Sequence, residues 1–175
     1  MLKQENNKSL AKDKIEFVSC LMTNQKGNIV IFKRSGDSKL DAGKYDFCSG
    51  HMKEGETPTQ AMYREIREEI GLMPEQIRLE KIGTIGTPHK KYEETLCHMY
   101  HTKINADIEK INEMIKTVEN PELEEAILVE NINALREKMQ EENNNYRTIY
   151  TKQMKYFLEA MEQRISKKEE TEKGR

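Results

Sequence analysis

Between Thr57 and Gly71 the chain specifies both ends of one helix, and the rest of the fold has to accommodate it. Thr57 can accept a bond from a backbone amide and Gln60, three residues on, can return one, the reciprocal pair that starts a helix. Pro58 suits the first helical position, where its missing N–H costs nothing. Gly71 offers the left-handed turn at which helices stop. Met62, Ile66 and Ile70 recur every fourth residue, so one stripe of this helix is buried. At about 100° per residue, Glu65, Glu68 and Glu69 then project into one sector, with Glu69 beside the buried stripe.

That crowding needs an explanation. Like charges three or four residues apart on a helix cost about 0.2–0.5 kcal/mol per pair, and partial desolvation of Glu69 worsens the repulsion. One explanation is a hydrated acidic face, with Arg64 pairing with Glu68 four residues on; Arg67 has only Tyr63 and Gly71 at that spacing. The other is a hard divalent cation among the carboxylates. Mg2+ prefers oxygen ligands and keeps its remaining positions for waters and substrate phosphates.

The wider frame decides between them. Gly50 is followed after five residues by Glu56, and after seven more by Arg64-Glu65-Ile66-Arg67-Glu68-Glu69-Ile70-Gly71-Leu72. This stretch resembles the Nudix box at every specified position. Upstream, FKRSGDSKLDAGKYDFCSGH resembles the lead-in of many Nudix proteins, a basic pair and a Gly-Lys-Trp-Asp-like turn, with Tyr45 standing where Trp is common. Downstream, ELEEAILVENINALREKM resembles their closing strand and helix, so the likeness covers about residues 15 to 140.

The resemblance implies an α/β fold, an αβα sandwich with a mixed sheet. It also implies a metal-dependent pyrophosphohydrolase that cuts a nucleoside diphosphate linked to another group. By that resemblance Glu65, Glu68 and Glu69 would hold Mg2+ or Mn2+, with a backbone carbonyl near Ser49 and Gly50 completing the shell. Glu56 and Arg64 would orient the loop and helix through an ion pair. Metal ions neutralise a diphosphate and lower the pKa of a bound water, and a carboxylate must then take the water's proton. Glu65, Glu68 or a loop glutamate could do so. Glu122 is a candidate extra ligand or base, its alternative being an exposed loop carboxylate. Lys33 and Arg34 are candidates for phosphate contacts, as is the loop of His89, Lys90, Lys91 and Tyr92 for a phosphate or base. His51 follows Gly50 as it often does in the family, and is otherwise a simple strand residue.

Around this core the remaining elements alternate. IEFVSCLM and NIVIFKR form a strand pair across TNQKG, YDFCSGHM a short strand, and RLEKIGTIGT and TLCHMYHTKI two more strands. ADIEKINEMIKTV is helical, ELEEAILVEN a strand, and INALREKM a helix capped by Asn131 or Asn133. Tyr150, Met154, Phe157, Leu158, Met161 and Ile165 stripe a C-terminal amphipathic helix, which packs on its own core by default; capping the core, lining a pocket or forming a homodimer are its other uses. Residues 1–13 read as a polar lead-in, 14–165 as the domain and 166–175 as a charged, solvated tail. His98 and His101, three apart on a strand, face opposite sides.

Charge and cysteine content narrow the setting. With 29 basic against 31 acidic residues, bulk electrostatics favours neither a nucleic acid nor a membrane partner. An odd, widely spaced set of cysteines (Cys20, Cys48, Cys97) suits free thiols in a reducing compartment, so a cytoplasmic protein is expected, and the resemblance implies a small-molecule nucleoside diphosphate derivative as its partner. Two rivals share the fold. An isopentenyl-diphosphate isomerase would want a Cys-Gly-His sequence, whereas here the order is Cys48-Ser49-Gly50-His51, which turns the thiol to the wrong side of a strand. A binding or regulatory module without turnover usually loses one of the metal-binding glutamates, and this chain keeps them all.

Overall fold

A computed structural model describes residues 15–38, 41–87, 95–141 and 148–173. Strand β1 (Ile15–Thr23) turns into β2 (Ile29–Arg34) through a loop in which the Asn24 side chain accepts the amides of Lys26 (3.0 Å) and Asn28 (2.9 Å). Gly27, at φ 86°, supplies the left-handed residue that the turn requires. The two strands pair beside the turn, at Met22–Val30 and Thr23–Ile29, and then diverge like a fork.

The short segments β3 (Tyr45–Asp46) and β4 (Cys48–His51) fill that fork, β3 on β2 and β4 on β1. The stretch YDFCSGHM is therefore not one continuous strand. Its pairing partner changes at Phe47, and a chain that crosses from one ladder to another must break its own. Parallel pairing joins β1 to β6 (Thr95–Lys103), β5 (Glu80–Thr87) pairs antiparallel on β6, and β7 (Leu123–Val129) closes antiparallel on β2. The result is one mixed, seven-stranded sheet.

Alternation along β1 assigns its two faces. Val18, Cys20 and Met22 join Met62, Ile66 and Ile70 of α1 (Pro58–Ile70) and Ile111 and Ile115 of α2 (Ile108–Thr117). Phe17 and Leu21 point the other way, into a second core with Leu135 of α3 (Ile132–Glu141) and Phe157, Leu158 and Met161 of α4 (Thr148–Lys173). Helices thus cover both faces of the sheet, the α/β sandwich expected. Asn131 is the cap of α3, its side chain accepting the Ala134 amide at 2.9 Å. Helix α4 packs Phe157, Leu158 and Met161 on its own sheet and is tied to α3 by the two-pronged Arg136–Glu162 pair (2.6 and 2.8 Å); the side chains of Tyr150, Met154 and Ile165 lie outside the described residues. It runs on to Lys173, and its described residues beyond the apolar stripe, Lys167, Glu170 and Thr171, are exposed. No helix among the described residues is long and apolar enough to cross a membrane.

Candidate active site

Helix α1 begins as its sequence dictates. The Thr57 hydroxyl accepts the Gln60 amide at 3.3 Å, and the Gln60 side chain accepts the Thr57 amide at 2.9 Å. At the other end Gly71, at φ 85°, turns its N–H onto the Arg67 carbonyl at 3.0 Å. The helix is thus fixed at both ends while its middle is pressed onto β4. Ala61, Met62, Ile66 and Ile70 are buried in the sheet, and so are the glutamates Glu65 and Glu69; Glu68 is exposed.

Arg64 uses all five of its N–H donors at this site. Nε and Nη2 form a fork on the Glu56 carboxylate (2.5 and 2.8 Å), and Nη2 also donates to the His51 carbonyl at 2.9 Å. Nη1 donates to Glu65 Oε1 (2.5 Å) and to Glu68 Oε2 (3.1 Å). One planar guanidinium so joins the loop before the helix, the end of β4 and two of the acidic side chains. The hydrogen bonds from Arg64, with one from the Lys53 amide, hold Glu56 down to about 2. The same contacts push Arg64 further above its already high value.

Glu69 is the most deeply placed of the three helix acids, 6% exposed. Its Oε2 accepts the Ser49 amide at 3.2 Å, which joins α1 to β4. Burial pushes Glu69 up to about 8; a hydrogen bond from the Cys48 thiol opposes this, and the charges of Glu65, Asp46 and Glu122 add to it. Burial likewise raises Glu65, with Arg64 as its main offset. Gly50 is required by this contact: a Cβ there would lie 2.0–2.3 Å from the Glu65 carboxylate atoms. Only a residue without a side chain lets β4 approach the acid so closely.

Glu65, Glu68 and Glu69 share the wall of a cavity of about 980 Å³ with Gly50, Arg64, Arg34, Lys53 and Glu122. Arg34, 6% exposed, is turned inward where the β2–β7 register shifts between Lys33 and Arg34. Its Nη2 donates to Ser38 Oγ (2.8 Å) and to the exposed Glu122 (3.2 Å). Lys33 is not among the residues around the cavity and pairs with Glu124 at 3.7 Å, since adjacent strand residues face opposite ways. Lys90, Tyr92, His89 and Lys91 lie outside the described residues. His51 is exposed at the rim.

Cys48 is fully buried, its thiol raised well above the usual range by burial, so it is a packed thiol and not a cavity nucleophile. His98 and His101 do face opposite sides. His98 bonds Thr84 (3.0 Å) and Glu16 (2.8 Å), while His101 bonds Thr23 (2.9 Å). Two site neighbours were not singled out from the sequence: Lys53, 3.5 Å from Glu68, and buried Asp46, which ends the Gly-Lys-Trp-Asp-like turn but lies outside the box.

The donor set suits a hard divalent ion: carboxylate oxygens on one helix face, two of them desolvated. Among the described residues no group of three or more His, Cys, Asp or Glu already converges on one point. Arg64 draws Glu65 and Glu68 toward itself, and Glu69 turns to Ser49, so a shared ion requires these side chains to rotate. Arg64 therefore supplies part of the counter-charge, through the pairing with Glu68 that its spacing offers and a contact with Glu65 beside it.

Comparison with known proteins agrees with this geometry. The RNA pyrophosphohydrolase of Psychromonas ingrahamii is 42% identical over 62 residues, 35% of this chain and 32% of that protein, so the match spans about a third of the relative's length. Among solved structures, DR0079 from Deinococcus radiodurans superposes with a TM-score of 0.66 at 16% identity, covering 88% of this chain and 89% of that one. The MutT protein of Methanosarcina mazei Go1 superposes with a TM-score of 0.61 at 20% identity, covering 85% and 96%. A family profile described as the NUDIX domain matches residues 15–151. The chain belongs to the NUDIX domain family.

Proposed function

We propose that the chain is a divalent-metal-dependent hydrolase that cleaves the diphosphate bond of a nucleoside diphosphate linked to another group. The observation that carries this reading is the pair of buried carboxylates, Glu65 and Glu69, set with Glu68 in the wall of a cavity that also holds Arg34 and Lys53. Two desolvated acids side by side are costly without a positive partner. Arg64 bonds Glu65 and leaves Glu69 to the Ser49 amide, so a polyphosphate approaching the pair calls for a further cation between them. The stretch similar to RNA pyrophosphohydrolases supports the diphosphate linkage as the bond that is cut.

Mg2+ or Mn2+, when bound, supplies charge neutralisation of the diphosphate and a more acidic water. The chain's own residues do the rest. Glu65, Glu68 and Glu69 present carboxylate oxygens, with the Ser49 and Gly50 backbone alongside. Arg64 sets the orientation of Glu65 and Glu68, and Glu56 sets that of Arg64. Arg34, freed from Glu122, and Lys53 offer donors to phosphate oxygens. Glu65 or Glu68 accepts the proton of the attacking water, with Glu122 across the cavity as the loop alternative. The chain works in the cytoplasm, where its free, buried cysteines stay reduced.

An isomerase that needs an accessible cysteine is disfavoured by the burial of Cys48. Assay of a panel of diphosphate compounds (nucleoside triphosphates, nucleoside diphosphate sugars, dinucleoside polyphosphates, triphosphorylated RNA) with Mg2+ and with Mn2+ tests the reading. At least one is expected to be cut in a metal-dependent manner, and Glu69→Gln to abolish that turnover. Full-rate turnover by Glu69→Gln, or none by the wild type across the panel, counts against it.

A further inference from the structure

Asp46 is the most deeply buried charged side chain among the described residues, at 2% exposed. It stands where the chain crosses the fork between β2 and β1. Asp46 is in register with Phe32 on β2, while Cys48 is in register with Cys20 on β1. Phe47, between them, belongs to neither ladder, so its amide needs another acceptor. Asp46 Oδ1 provides it at 2.8 Å. Its Oδ2 accepts the Ser49 hydroxyl at 3.3 Å. The Ser49 amide donates in turn to Glu69 Oε2, and the next residue, Gly50, is the one pressed against Glu65. One carboxylate thus holds the crossing and Ser49, the residue that meets Glu69 and precedes Gly50.

We propose that Asp46 is a positioning residue for the acidic site: through Phe47 and Ser49 it sets where β4 meets Glu69 and Glu65, and thereby how well they take up a divalent cation. This rests on the metal-dependent reading above. It predicts an effect on the site that loss of stability alone does not produce. Asn at this position keeps an oxygen for the Phe47 amide, whereas Ala keeps nothing.

Mn2+ affinity is to be measured by electron paramagnetic resonance of the free ion, well below the melting temperature of each protein. Asp46→Ala is expected to bind Mn2+ about 10-fold more weakly or worse, the usual effect of removing a group that orients a metal ligand. Asp46→Asn should stay within about threefold of the wild type, since its Oδ1 keeps the Phe47 amide and its Nδ2 can donate to the Ser49 hydroxyl oxygen. Should Asp46→Ala not fold, Ser49→Ala deletes the Oγ contact alone and is expected to weaken uptake about fivefold, the worth of one ordinary hydrogen bond. Unchanged affinity in Asp46→Ala or Ser49→Ala, or equal loss in the Asn and Ala variants, overturns the assignment alone. A wild-type chain that takes up no Mn2+ overturns the parent reading together with it.

Discussion

Gly50 shows how little room the site leaves. Its missing side chain is the space in which the Glu65 carboxylate sits, so Gly50→Ala must push either the acid or β4 aside. The atoms the added Cβ meets are the far end of the Glu65 side chain, which can swing aside, so the cost should be at the low end of overpacking, about 1 kcal/mol. Turnover should fall about 100-fold or more, because a displacement near an ångström is enough to misplace reacting groups. Melting temperature and rate on the best panel substrate, measured together, check both figures. Glu69 carries a second consequence. Its carboxyl titrates near 8 in the folded chain against an ordinary value of 4.5, so the folded state holds this proton more tightly than the unfolded one. Stability is then present in full below about 4.5 and is lost as pH rises through about 8. Melts in EDTA should accordingly fall between pH 5 and pH 8, and Glu69→Gln should flatten that slope. Gly50, Glu65 and Glu69 were legible as a set because their spacing is fixed within one continuous stretch. The roles of Asp46 and Lys53 were not: what Asp46 holds depends on the change of partner strand at Phe47, and Lys53 meets Glu68 only once the loop folds onto α1.

Among the elements, α1 was readable to the residue because its capping is local: Thr57, Pro58, Gln60 and Gly71 act within a turn of themselves. The YDFCSGHM stretch was not, because what breaks it is a change of partner strand, and partners are chosen by distant residues. The last helix falls between these cases. Its apolar stripe announced a buried face, and the structure supplies the surface it covers, with Phe157 packed at a tilt against Phe47, 5.6 Å between ring centres. Phe47 is also the residue at the β3–β4 crossing, so α4 braces from behind the strand that faces the acids. Phe157→Ala should therefore cost about 3–5 kcal/mol. Urea unfolding measures that cost, and a change under 1 kcal/mol would show that α4 is not part of the cooperative core.

At the scale of the whole molecule, the fold brings together residues far apart in the chain. Arg34 from the end of β2, Ser49 and Gly50 from the fork, the acids of α1, and Glu122 before β7 meet around one cavity. A mixed sheet with a parallel β1–β6 pair makes that possible, and its order could be anticipated only through the family resemblance. Strand periodicity marks which residues alternate, not which strands adjoin, and that is why Lys33 and Arg34 looked equivalent in the sequence while only Arg34 reaches the cavity. The substrate beyond its diphosphate depends on the loops around this cavity, whose shape no period in the sequence encodes.

All of this rests on two buried acids that need a cation. Calorimetric titration of Mn2+ at pH 7, in two buffers of different ionisation heat, reads uptake and proton release together. The wild type is expected to bind Mn2+ with release of about one proton, the one Glu69 holds below its raised pKa of about 8. Glu69→Gln should bind about 10-fold more weakly or worse and release none. No uptake by the wild type, or equal affinity and proton release in the two proteins, would contradict the assignment of Glu69 and its neighbours to a metal.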